Sequence, residues 1–82
     1  MIELCDDCDY TILIADLIAT LITFEKDKES FELKIWYSNT EIPFLFDSDS
    51  LFSFLQEGLR VEYNSKITYL FYDLITSIEV IK

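Results

Sequence analysis

The sequence predicts an α+β, β-rich fold: a mostly antiparallel sheet of five to seven short strands, with one short helix at about residues 48–57. Three observations predict it. Residues 31–37 alternate cleanly, with Phe31, Leu33, Ile35 and Tyr37 on one face and Glu32 and Lys34 on the other. That period of two marks a half-buried strand. Ile, Thr, Val, Tyr and Phe dominate residues 10–24 and 67–81, which favours strands over helices. The run Asp47-Ser48-Asp49-Ser50 precedes Leu51, Phe52, Phe54 and Leu55 at helical spacing, and the only glycine, Gly58, follows.

In chain order, residues 1–9 read as an acidic, irregular segment around Cys5 and Cys8. Residues 10–24 read as two strands bent at Asp16. After the polar loop 25–30, residues 21–24 and 31–37 form a β-hairpin. Ser38-Asn39-Thr40 is a turn. Residues 41–46 place Ile42, Phe44 and Phe46 on one face. Pro43 makes this an edge strand, because proline donates nothing to a ladder. Asp47–Ser50 then starts the helix: short oxygen side chains accept orphan N–H groups, and the acids suit the positive end of the helix dipole. Gly58 supplies a left-handed stop. Asn64-Ser65 tolerates positive φ and joins residues 60–63 to 67–72 as a tight hairpin. Residues 75–81 close the chain.

Residues 11–24 align with 68–81. Thr, Leu, Asp, Leu and Ile are identical at matched positions, so each copy reads as strand, bend at Asp-Leu-Ile, strand. Both segments also carry helical spacing. If 10–24 and 66–81 were helical, the fold would be a small sheet with three helices.

Length and composition bound the function. The chain has 82 residues, which predicts one small domain, 1–82. Its net charge is −10, and 51% of its residues are hydrophobic. That much apolar content excludes a disordered chain. The acidity excludes direct nucleic-acid binding, which needs Lys and Arg against phosphates. Residues 10–24 are interrupted by Asp16 and are too short to span a membrane. The N-terminus carries no positive region of a signal peptide. A cytoplasmic protein is therefore expected. Seven Phe, five Tyr and one Trp exceed what one small core hides. Either self-association as a homodimer or a protein partner would cover the surplus.

No chemistry stands out. Cys5-Asp-Asp-Cys8 has zinc-ligand spacing but no further Cys or His completes a site, and its carboxylates disfavour a thiolate. Two cysteines are too few for a disulfide framework, so structural or incidental thiols are expected. Asp47-Ser-Asp49 resembles the start of a calcium loop but lacks the later ligands, the Gly and the closing Glu. There is no His for acid–base work and no Gly-rich phosphate loop. Neither catalysis, nor a cofactor, nor a metal is expected.

Charge patterning carries more. Residues 1–24 hold five acids and no base, and residues 38–59 hold Glu41, Asp47, Asp49, Glu57 and no base. The expectation is a negative face built from Asp6, Asp7 and Asp9 with Glu41, Asp47 and Asp49, and with Trp36, Tyr37 and Phe44 as anchors. Acids two apart on a strand would stand about 6.6 Å apart, comparable to phosphates along one nucleic-acid strand. Small size, acidity, surplus aromatics and lack of catalytic groups are together similar to small phage-encoded inhibitors of restriction, CRISPR or DNA-repair enzymes. Many of these mimic nucleic acid. That likeness, one of size and charge rather than motif, implies a non-enzymatic inhibitor acting in the host cytoplasm on a protein with a basic nucleic-acid-binding surface. The alternative is an assembly module that self-associates through its apolar surface and the edge strand bearing Ile42, Phe44 and Phe46.

Overall fold

A computed structural model describes residues 2–5, 7–38 and 40–82. They form one helix and seven strands in two sheets, an α+β, β-rich fold. The elements are β1 (Ile2–Leu4), α1 (Ile12–Lys26), β2 (Glu32–Tyr37), β3 (Phe44–Asp47), β4 (Leu51–Phe54), β5 (Gly58–Tyr63), β6 (Lys66–Phe71) and β7 (Ile75–Ile81). The first sheet has the order β1-β4-β5-β6 and the second β3-β2-β7. β1 pairs with β4 in parallel; every other pair is antiparallel.

The one helix lies at Ile12–Lys26, not near 48–57. Propensity favoured strands at 10–24, and packing overrides it. Ile14, Leu17, Ile18 and Leu21, spaced three and four apart, are the helix residues buried in the core. The Thr11 hydroxyl caps the start by accepting from the Ile14 N–H at 3.3 Å. Thr20 and Thr23, which disfavour helix, donate their hydroxyls to the carbonyls of Asp16 and Ala19, each at 2.9 Å. The helix stops in a Schellman motif: Lys28 N–H donates to the Glu25 carbonyl and Glu29 N–H to the Phe24 carbonyl. Lys28 takes the left-handed position at φ 55° that glycine usually fills. Residues 21–24 therefore form no hairpin with β2, whose partners are β3 and β7.

Residues 48–57 are a turn, strand β4 and a second turn. Asp47–Ser50 do cap backbone groups, but those of a turn. Asp47 Oδ1 accepts from the Asp49 N–H at 2.9 Å, and Ser50 N–H donates to the Asp47 carbonyl. The apolar residues after them alternate into the core as a strand, with Phe52 and Phe54 buried. Gly58 does not adopt positive φ; it opens β5. Its role is close approach. A Cβ there would meet the Leu70 carbonyl oxygen at 2.5 Å and a Tyr69 ring carbon at 2.9 Å. Gly58→Ala is expected to cost about 1–3 kcal/mol through overpacking. Urea denaturation measures this, and unchanged stability would contradict it.

The second half of the chain follows its sequence closely. Asn64 and Ser65, at φ 51° and 64°, make the two-residue turn of the β5–β6 hairpin. Residues 66–81 are strand, a 3-10 turn at Tyr72–Leu74, then strand. The bend falls at the Asp-Leu-Ile of the aligned segments, but residues 11–24 are helical. The sequence similarity is therefore not a structural repeat, and of the two ambiguous segments only the first is a helix.

The two sheets and α1 enclose one core. Leu33 and Ile35 of β2, Phe46 of β3, Phe52 and Phe54 of β4, Leu59 and Val61 of β5 and Leu70 of β6 meet the helix stripe there. Phe52 bridges the layers, edge-on to Phe46 at 6.4 Å and stacked on Phe31 at 6.3 Å. No helix among the described residues is long and apolar enough to cross a membrane.

Candidate functional site

Strand directions give the molecule two ends. β1 and β4 run toward one end and α1 starts there. β2 and β6 also finish there, and β5 and β7 begin there. The described residues of the connections at this end are 5, 7–11, 38, 40–43, 55–57 and 72–74. Hydrogen bonds tie them to each other and to the strand ends. The Tyr10 hydroxyl donates to the Phe54 carbonyl at 3.0 Å and accepts from the Cys5 N–H at 3.2 Å. The Tyr72 hydroxyl donates to the Leu55 carbonyl at 2.6 Å, and its N–H to the Glu57 carbonyl. Ser38 N–H donates to the Leu74 carbonyl at 2.7 Å. Tyr10 and Tyr72 meet edge-on, with ring centroids 6.0 Å apart.

Cys5 and Cys8 are joined in a disulfide at this end. The expected free thiols are thus corrected. A separation of three residues brings the Cα atoms to 5.5 Å, within the range of about 4.4–6.8 Å that a disulfide spans.

This end carries Asp7, Asp9, Glu41, Glu57 and Asp73, all exposed, on its four connections, and no Lys or Arg. The six cations lie elsewhere. Lys26 and Lys28 end the helix, and Lys66 and Lys82 lie at the same opposite end. Lys34 and Arg60 sit within strands on the outer sheet faces, opposite Glu79 and Tyr69 respectively. Among the described residues the single ion pair is Lys82–Glu29, at 2.7 Å. Exposed apolar side chains stand among these acids, including Ile12 (82% exposed), Ile42 (78%), Leu55 and Leu74.

The sequence-predicted site residues divide. Asp7, Asp9 and Glu41 come together at the base-free end; Asp6 lies outside the described residues. Asp47 and Asp49 lie at the opposite end, in the β3–β4 turn, beside Glu32, Lys82 and the open groove between them. The expected single negative face does not form, because β3 carries Asp47 one strand length away from Glu41. The strand-like spacing of acids is also absent: Asp7 and Asp9 occupy a loop, and Asp47 and Asp49 flank a turn. Asp47 is further engaged by the Tyr63 hydroxyl, which donates to Oδ2 at 2.9 Å. That bond and the carboxylate charge raise the Tyr63 phenol above its ordinary pKa.

The aromatic trio divides as well. Tyr37 and Phe44 are half-buried and meet edge-on at 6.0 Å, and the Tyr37 hydroxyl accepts from the Phe71 N–H at 3.0 Å. Trp36, the residue before Tyr37, lies on the opposite, outer face of the second sheet. On the edge strand, Phe46 is buried and Phe44 half-buried, which leaves Ile42 as the exposed member of that apolar set.

Sequence reading missed Glu57 and Asp73. The signal was present: residues 67–81, like 1–24 and 38–59, contain no base. What was lacking was the topology that brings the three base-free segments to one end.

Tyr72 has a second property. Burial, then the phenols of Tyr10 and Tyr69, raise its pKa above the ordinary value near 10. The protonated phenol thus favours the folded state. Its contribution is complete below pH about 10 and is lost as pH rises beyond that. Tyr72→Phe is expected to cost about 1 kcal/mol at neutral pH and to flatten the fall in stability between pH 9 and 11. Denaturation at both pH values measures this; an unchanged alkaline slope would contradict it.

Comparison with known proteins offers no relative to reason from: no family model matches this chain, and no curated protein or solved structure matches it significantly.

Proposed function

We propose that this chain is a non-enzymatic inhibitor whose base-free end occupies the basic groove of a nucleic-acid-processing protein, in the place of DNA or RNA. One observation carries the proposal: among the described residues, five exposed carboxylates lie at an end that has no Lys or Arg. Such an end projects a field of one sign, which steers a basic surface toward it and makes association salt-dependent. Ile12, Ile42, Leu55 and Leu74 supply apolar contact among the charges, as an interface needs beyond electrostatics. In kind, the proposal is similar to the anti-restriction and anti-CRISPR proteins of phages. It places the chain in the cytoplasm of the cell that holds the target.

The test is a pull-down of host proteins on the immobilised domain, eluted by a salt gradient. The expected result is release, at moderate salt, of a protein that also binds DNA or RNA. Recovery only of partners that resist high salt would overturn the proposal.

A further inference from the structure

β6 is an edge of the first sheet. In its hairpin with β5, the pair flanking the two-residue turn is Tyr63 and Lys66. Even-numbered residues of β6 therefore exchange backbone bonds with β5, and Ile67, Tyr69 and Phe71 point their N–H and C=O groups outward. The Phe71 N–H confirms this by donating to the Tyr37 hydroxyl instead. The side chains of these same three residues stand on the outer face, 59%, 42% and 46% exposed. No proline or bulge blunts the edge.

We infer that β6 pairs antiparallel with β6 of a second copy of this chain, joining two four-stranded sheets into one of eight strands about a two-fold axis at Tyr69. One register sets all three outward residues opposite one another: Tyr69 faces Tyr69, and Ile67 faces Phe71. It uses the free donors of Ile67 and Tyr69 in both copies, and the Ile67 carbonyl of each copy takes the place of the Tyr37 hydroxyl at the Phe71 N–H of the other, so the Tyr37 side chain swings aside on pairing. The same register brings the Lys66 end of each strand to the Asp73 end of the other, so opposite charges meet twice. Two of the chain's six cations, Lys66 and Arg60, lie on β6 and its neighbour β5, which lowers the repulsion between two copies of net charge −10. The antiparallel arrangement directs the two acidic ends away from each other and leaves most of each free.

Sedimentation equilibrium against concentration tests this with three chains. Wild type is expected to move from 9.7 kDa toward twice that mass. Tyr69→Lys, which sets two lysines across the axis, is expected to remain at 9.7 kDa with unchanged far-ultraviolet circular dichroism. Leu45→Lys, an exposed change on the edge strand of the other sheet, is expected to associate like wild type. In addition, Tyr69→Cys is expected to cross-link to itself on oxidation, because Cα atoms of a directly opposed hydrogen-bonded pair are about 5.5 Å apart. Ile67→Cys is not. A wild type that stays at 9.7 kDa, doubling of the Tyr69→Lys chain, or equal loss in Leu45→Lys would overturn the inference. Self-cross-linking of Ile67→Cys in place of Tyr69→Cys would overturn the register.

Discussion

Phe54→Ala is expected to cost about 3–5 kcal/mol, the largest effect of any single substitution considered. Phe54 is fully buried in β4, its ring is met edge-on by Tyr10 at 6.4 Å, and its carbonyl accepts from the Tyr10 hydroxyl and the Cys5 N–H. Truncation opens a cavity beneath the loop that carries Asp7 and Asp9. Domains of this length have a total stability of about 4–12 kcal/mol. The variant should therefore lose a large part of its urea resistance or unfold outright. Phe71→Ala, at an exposed site, should cost less than about 1 kcal/mol. Urea titrations followed by circular dichroism compare the two. Equal midpoints would mean that Phe54 does not sit in the core.

The second large effect concerns binding. Reversing Asp7, Asp9, Glu41 and Glu57 to lysine changes two charges at each of four sites and takes the net charge from −10 to −2. All four are exposed, and their side chains form none of the hydrogen bonds that tie the loops together, so the fold is expected to persist. Affinity for the basic partner is expected to fall about 100-fold or more at low salt. A control reverses Glu25, Asp27, Glu32 and Asp49, which lie on or toward the opposite end, and makes the same change in net charge. It should lose far less, chiefly in association rate through the long-range field. Equal loss in both variants, read by titration calorimetry, would mean that total charge rather than the base-free end carries binding.

Local signals were readable wherever the chain closes its structure within a few residues. The alternation at 31–37, the Asn64-Ser65 turn and the bend at residues 72–74 all depend on neighbours in sequence, and all three are present; the edge strand expected at 41–46 is also an edge but starts only at Phe44, after Pro43. The helix was misplaced because two signals conflicted. Residues 12–26 have the right spacing but β-favouring side chains, and residues 47–58 have the right caps but pack as a strand. Tertiary burial of Ile14, Leu17, Ile18 and Leu21 decided the first case, and pairing of β4 with β1 and β5 decided the second. β1 was illegible because its three residues become a strand only against β4, fifty residues away in sequence. The same distance effect hid two of the five acids of the candidate site. Asp7, Asp9 and Glu41 were chosen from local charge, whereas Glu57 and Asp73 join them only through the way strands end. Asp47 and Asp49, read as part of the same face, lie in the β3–β4 turn at the other end, with Asp47 held by Tyr63.

Occupation of a nucleic-acid groove is tested most directly by competition. The affinity of the captured partner for its own DNA or RNA is measured at increasing concentrations of this protein, at fixed ionic strength. The account predicts a proportional rise in the apparent dissociation constant without limit, with no ternary complex. A rise that levels off, or a complex in which partner, nucleic acid and this protein travel together, would contradict it.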